Sequence, residues 1–268
     1  MDAGAWWWFF AGMNLPLSPR IRATGAPPIP AVRGWAARYQ GGAGPVLDLT
    51  QAVPGYPPHP DLLARLAAAA GDAKAAGYGP IEGETALREA LAADMVRAYG
   101  GRLDAADIAI TAGGNLAFTL SMMTLAGSGE AVMLPAPWYF NHRMALEALG
   151  IPCRVLPCRA EDGFLPDSAL AASLMEGVRA IVLVTPNNPT GATYSPELIA
   201  QFAKLCWDRG AWLVLDETYR DFIPEAAGAP HGLFQDAAWR DHVVHLYSFS
   251  KAYCVPGHRI GAIAAGAG

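Results

Sequence analysis

Lysine is scarce in this chain. Three lysines (Lys74, Lys204 and Lys251) stand against sixteen arginines. Cysteine is scarce too. Its four copies, Cys153, Cys158, Cys206 and Cys254, form no CxxC pair and no metal-ligand spacing with histidine, which excludes a disulfide scaffold and a zinc module. They read as reduced, mostly buried thiols of a cytoplasmic protein. There is no basic tract, and the net charge is −5, which argues against nucleic acid or an anionic membrane as partner. No apolar run reaches the roughly 20 residues that span a bilayer. The stretch "AGAWWWFFAGM" at 3–13 falls short, and only Asp2 precedes it where a secretory signal carries basic residues. Residues 1–12 therefore read as an atypical apolar extension, with a natural start expected at Met13. The glycine fingerprints GxGxxG and GxxxxGK[ST] are both missing, which counts against dinucleotide and P-loop sites. There is no internal repeat and no low-complexity linker.

What is present is globular. Of 268 residues, 53% are apolar and 16% charged, enough for one large core or a domain with an appendage. Residues 13–58 are rich in Pro and Gly ("GAPPIP", "GGAGP", "VPGYPPHP") and read as a segment that wraps over a surface. A domain over 59–268 follows. Helical spacing runs from Asp61 to Lys74 and from Glu84 to Tyr99, with Leu87, Leu91 and Met95 on one face. From Asp107 seven short apolar runs follow: "DIAI", "AVML", "CRVL", "AIVLV", "WLVLD", "HVVHLYS" and "RIGAIAA". Amphipathic segments at 115–126, 139–149, 167–176 and 196–208 lie between the earlier ones. This alternation predicts an α/β fold with a mostly parallel seven-stranded sheet and helices on both faces.

Ligands of such sheets sit at the carboxyl ends of the strands. Five of the seven exits carry polar, glycine-rich or aromatic residues: "TAGGN", "PAPWYFNH", "TPNNPTG", "DETYRDF" and "SFSK". Two glycines before a helix make a tight turn, and they also leave N–H groups and a positive helix end for a phosphate. Asp216 ends an apolar strand, where it is either a helix N-cap or a carboxylate met by a cation or several donors. Tyr219 lies one helical turn on. "TPNNPTG" alone is a rigid turn. Lys251 directly follows an apolar run, and a lysine held at low dielectric becomes a nucleophile toward carbonyls. Ser248 and Arg259 flank it as phosphate ligands. A carbonyl-reactive amine, a phosphate cradle, an acid and a phenol together suit pyridoxal phosphate.

With "PNNPTG", "DETYRDF" and "SFSKAYCVPGHRIG" in this order, residues 14–268 resemble the class I/II aminotransferases, fold-type I pyridoxal-phosphate enzymes of the aspartate aminotransferase superfamily. The resemblance implies that Lys251 holds the coenzyme as a Schiff base and shuttles the substrate's α-proton. It implies Asp216 at the pyridinium nitrogen, and Asn188 and Tyr219 at the phenolic oxygen. Ser248, Arg259, Gly114 and Asn115 would hold the phosphate, and Tyr139 would stack on the ring. His142 matches a histidine that supports the aspartate in some members, and is otherwise a helix-surface residue. "GYGPIEGETALREAL" suggests that Tyr78 reaches the phosphate of a neighbouring subunit in a homodimer. No metal is implied. The expected activity is amino transfer from an amino acid to a 2-oxo acid. A carbon–sulfur lyase on the same scaffold, or a truncated product that binds coenzyme without turnover, are the alternatives. Two departures stand out: Ala52 in "DLTQAVPGYPP", where glycine is usual, and a chain that stops at Gly268, before the small domain and its carboxylate-binding arginine.

Overall fold

The alternation of apolar runs and amphipathic segments does build a layered α/β unit. The computed structural model describes residues 17–51, 54–127, 129–224, 226 and 228–266. The apolar extension, Met13 and Ala52 lie outside the described residues. In chain order the structure begins with helices α1 (Pro19–Ala23), α2 (Pro28–Ala36), α3 (Pro60–Gly71) and α4 (Thr85–Tyr99). Then come β1 (Ile108–Thr111), α5 (Gly114–Leu125), β2 (Ala131–Ala136), α6 (Phe140–Leu149) and β3 (Cys153–Pro157). They are followed by α7 (Ser168–Ser173), β4 (Val178–Val184), α8 (Pro196–Asp208), β5 (Trp212–Asp216), β6 (Val243–Ser248), α9 (Phe249–Ala252) and β7 (Gly261–Ala264). All seven expected strands are present, in one sheet of order β1-β7-β6-β5-β4-β2-β3.

The pairs β2–β3, β2–β4, β4–β5 and β5–β6 are parallel. β7 runs antiparallel to both β1 and β6. The link before β7 carries only the one-turn α9 and a 3-10 turn at Pro256–His258, not a crossover helix spanning the sheet, so the strand returns in the opposite direction. Two run boundaries also differ from the sequence expectation. Asp107 sits in a 3-10 turn before β1, where its carboxylate accepts from Arg240 Nε and Nη2 at 2.7 Å each. Arg259 precedes β7 in a left-handed conformation with φ 54°.

Strand residues alternate between two cores, as a period of two requires. Ile181, Leu183, Leu213, Leu215, Val243 and Tyr247 pack with Leu91, Met95, Tyr99, Ile199 and Phe202 of α4 and α8. Val182, Val214, Val244 and Leu246 pack with Phe118, Met122 and Leu146 of α5 and α6 on the other face. Local signals set the helix ends. Ser195 Oγ accepts from Leu198 N–H at 3.2 Å, with Pro196 in the first turn of α8. Gly150, at φ 72°, closes α6 in the left-handed region. Helices α1 and α2 contain no buried residue, and Gly25 N–H donates to Glu147 Oε2 of α6 at 2.9 Å.

Candidate active site

Five strand exits converge on one cleft of about 750 Å³ at the carboxyl end of the parallel strands. Gly114 and Asn115 come from the exit of β1, Tyr139 from β2, Asn188 from β4, Asp216 and Tyr219 from β5, and Ser248 and Lys251 from β6. Arg259 joins them from the turn before β7. Pro28, Ile29 and Val32 of α2 line the mouth. Tyr78 does not line it. That side chain is fully exposed on the loop before α4.

At the floor, Asp216 ends β5 on the α5–α6 side of the sheet. His142 Nε2 lies 3.1 Å from its Oδ2, and both groups are nearly excluded from solvent. Thr218 donates to Oδ1 from its N–H at 3.1 Å and its hydroxyl at 2.6 Å. Burial opposes ionisation of Asp216, but the His142 contact and the Thr218 donors outweigh it and hold the carboxyl below its ordinary range. His142 is itself sandwiched. Phe118 stacks on it with centroids 3.9 Å apart, and Tyr139 meets it edge-on at 5.2 Å. The histidine is thus a buried partner of the aspartate rather than a surface residue.

Around the rim, Asn188 Nδ2 donates to Tyr219 Oη at 3.4 Å. Burial, with the Tyr139 and Asp216 charges adding to it, pushes the Tyr219 phenol up to about 12, so it stays a proton donor at neutral pH. Tyr139 Oη accepts from Asn141 Nδ2 at 2.7 Å and donates to Asn115 Oδ1 at 3.4 Å. Lys251 Nζ lies 5.9 Å from the centre of the Tyr219 ring. Burial, and then the Arg259 charge, lower its pKa, which enlarges the fraction of free amine.

One wall of the cleft is built on glycines. A Cβ on Gly113 would lie 2.2 Å from Arg259 Nη2, and Gly113 already has φ 87°. A Cβ on Gly261 would lie 2.6 Å from both Gly113 C and Gly114 N. A Cβ on Gly114 would touch Ser248 Cβ at 3.4 Å. Three side chains are missing where the Arg259 guanidinium, the Ser248 hydroxyl and the first turn of α5 close on one another. The first N–H groups of that helix have no intrahelical acceptor, and its dipole favours an anion. This donor set fits a phosphate monoester. The acid, the phenol and the amine that line the same cleft fit a pyridine aldehyde.

Sequence reasoning missed several of these residues. Thr218 sits inside the quoted "DETYRDF", and a hydroxyl two residues after a carboxylate is a local signal for such a bond. Gly113 was legible only as one of the two glycines before α5, and Gly261 carried no signal, because their close approaches to Arg259 and to each other span more than a hundred residues. Asn141 was likewise visible only as part of a polar exit.

The likeness to known proteins matches this geometry. The family model "Aminotransferase class I and II" matches residues 45–267. An aromatic aminotransferase of Arabidopsis thaliana is 32% identical, over 92% of this chain and 61% of that protein. A valine–pyruvate aminotransferase of Mycobacterium tuberculosis is 31% identical, over 88% of this chain and 61% of that protein. An aspartate aminotransferase of Thermus thermophilus, solved with maleate, superposes with a TM-score of 0.79 at 27% identity, over 94% of this chain and 65% of that one. The chain therefore spans about three fifths of the length of the curated relatives. With the sheet order, the cleft and the family match in agreement, the chain belongs to the class I and II aminotransferases.

Proposed function

We propose that this chain binds pyridoxal phosphate in the cleft and serves an aminotransferase that moves an amino group from an amino acid to a 2-oxo acid. The observation that carries this is the pairing of a half-buried lysine with an ionised, histidine-backed aspartate and a glycine-walled anion cradle in one cleft. Lys251 would hold the coenzyme covalently. Asp216 would face its ring nitrogen, Asn188 and Tyr219 its phenolic oxygen, and Tyr139 its ring. Ser248, Arg259 and the N–H groups of Gly114 and Asn115 would hold the phosphate.

Bound there, the coenzyme supplies an electron sink for a carbanion at the substrate α-carbon. The chain's own part is electrostatic and positional. Asp216, fixed by His142 and Thr218, keeps a negative charge at the cleft floor without reorganising during reaction. The Tyr219 phenol, protonated at neutral pH, offers a proton to an oxyanion. Lys251 Nζ, held beside Tyr219 and with its pKa lowered, is placed to take and return a proton at the α-carbon, with the advantage of proximity.

On this reading residues 59–268 would be the coenzyme-binding unit and 13–58 its wrapping segment, of which Pro28, Ile29 and Val32 line the cleft. Exposed Tyr78 fits a homodimer in which it reaches a partner's phosphate. Among the described residues no helix is long and apolar enough to cross a membrane. Reduced cysteines accord with a cytoplasmic enzyme. The relatives reported above are named as aminotransferases, which favours transfer over lyase chemistry. The test is a pair of half-reactions on the coenzyme-loaded chain. An amino-acid donor should change the visible spectrum and a 2-oxo acid should restore it, whereas release of free ammonia would refute the transferase reading.

A further inference from the structure

Beneath the cleft lies a buried polar cluster that the catalytic reading does not use. The residues at the end of β5 and in the turn after it divide between the two sides of the sheet. Asp216, Thr218 and Tyr219 line the cleft. Glu217 points to the α4–α8 side and is wholly buried. Its Oε2 accepts from Tyr99 Oη at 2.5 Å and lies 2.9 Å from His245 Nε2 and 3.3 Å from His231 Nε2. His231 Nδ1 accepts from Leu233 N–H at 3.2 Å, so the proton of that ring sits on Nε2, toward the carboxylate. Burial opposes ionisation of Glu217, but the two imidazoles outweigh it and keep the group a carboxylate. The anchors come from three places: Tyr99 from α4, His245 from β6, and His231 from the loop before β6.

Arg220 continues the same pattern. It is buried, pairs with Asp94 of α4, and lies over the rings of Tyr247 at 4.4 Å and Tyr99 at 5.5 Å. Asp221 accepts from Tyr247 Oη at 2.7 Å. The ionisable groups on this side are therefore Glu217, Arg220, Asp221, Asp94, His231, His245, Tyr99 and Tyr247. A buried carboxylate and a buried guanidinium are costly to place, and each is met by partners on other elements. Their common effect is on the seven-residue turn that holds two proposed coenzyme contacts. Every residue from 216 to 221 except Tyr219 and Thr218 is fixed from below or from the strand itself.

We propose that Glu217 is a positioning residue: tied to Tyr99, His231 and His245 under the sheet, it sets the turn so that Asp216 and Tyr219 project into the cleft. This rests on the coenzyme reading of the cleft, but it concerns the opposite face of the turn. Glu217→Gln keeps the volume and removes the charge that Tyr99 donates to and that His231 and His245 lie against, so the turn should relax. A side chain that serves only folding would change stability and leave the cleft as it was.

The experiment compares the unaltered chain, Glu217→Gln, and a destabilising control in the same core, Phe202→Leu. The expected result is pyridoxal phosphate binding weakened about tenfold by Glu217→Gln, the low end of what losing an outer partner costs a metal site. The pH midpoint of the coenzyme's visible band should also move. Phe202→Leu should lower thermal stability and change neither. Equal affinity and midpoint in Glu217→Gln and the control would overturn the inference. If Glu217→Gln does not fold, Tyr99→Phe, which removes one donor, replaces it, with a smaller change in the same direction. A second readout needs no coenzyme: the ring nitrogen signals of His142 in the free chain should shift in Glu217→Gln. Unmoved signals would overturn the inference whatever binds. Shifted signals in a chain that binds no pyridoxal phosphate would uphold the positioning role and remove the coenzyme reading instead.

Discussion

Gly261→Ala puts the anion cradle to a quantitative test. Gly261 opens β7 and pairs in register with Thr111 of β1 and Ser248 of β6, so the ladder holds it from both sides. Its missing Cβ would lie 2.6 Å from Gly113 C and Gly114 N, and 3.0 Å from Gly113 Cα. These are backbone atoms, which cannot rotate away. Ordinary contact begins at 3.4 Å, so the strand and the start of α5 must part by about 0.8 Å. Overpacking of this kind costs about 1–3 kcal/mol. The displacement falls where α5, Ser248 and Arg259 meet, and a binding constellation must be held within about 0.5 Å of its productive geometry. Pyridoxal phosphate and its phosphate-free counterpart pyridoxal should therefore respond differently. We expect Gly261→Ala to weaken binding of the phosphate ester by at least about tenfold, or about 1.4 kcal/mol, and to leave pyridoxal nearly unchanged. The assay is equilibrium fluorescence titration of both compounds, with urea unfolding in parallel. Gly257→Ala is the control, since its Cβ would meet nothing within 4 Å, and its stability should change by less than about 0.5 kcal/mol. Equal loss for both compounds, or stability loss with phosphate binding intact, would show that this wall is not the anion site.

Further expectations follow from the charges around the cleft. Asp216 and Glu217 have pKa values below those of an unfolded chain, and His245 and His242 are held below the ordinary histidine value, chiefly by burial. For all four, the unfolded chain binds protons that the folded chain refuses, so stability rises with pH through each window. Chemical unfolding should show a decline that starts near about pH 6.5 and steepens below about pH 4.5; a flat profile from pH 7 to 4 would contradict these assignments. His142→Leu removes the imidazole beside Asp216 Oδ2 and leaves that carboxylate to Thr218 alone, so unfolding free energy at neutral pH should fall by about 1–3 kcal/mol, and the part of the acid-induced decline due to Asp216 should shrink, because its folded pKa moves back up toward the unfolded one. Lys251 has its pKa lowered by burial and by the Arg259 charge, so its acylation rate should level off below the pH of about 10.4 expected for an ordinary lysine. Arg259→Met should move that curve upward, and an unchanged curve would deny the coupling.

How much of this was legible in the sequence depends on the range of each interaction. The strands were legible because each is a short apolar run, and the central ones are buried on both faces, so even single residues such as Val214 and Leu215 report their environment. The cleft residues were legible because their types are out of place: a lysine after β6, an aspartate at the end of β5, glycines where β1 meets α5. The antiparallel return of β7 was not, since an apolar run carries no direction. His142 stood between two readings until its distance to Asp216 decided the matter. Glu217 went unnoticed although it adjoins Asp216, because its partners Tyr99, His231 and His245 lie on three separate elements. Gly113 and Arg259 are 146 positions apart, and only the fold shows that the guanidinium occupies the space of the absent side chain.

The central claim is that Lys251 is the covalent anchor in a cleft built for pyridoxal phosphate. The most direct measurement is borohydride reduction of the chain mixed with pyridoxal phosphate at neutral pH, followed by peptide mapping. A single stable adduct is expected on the peptide carrying Lys251, lost in Lys251→Ala and suppressed by excess inorganic phosphate. An adduct spread over Lys74 and Lys204, or none on Lys251, would contradict it.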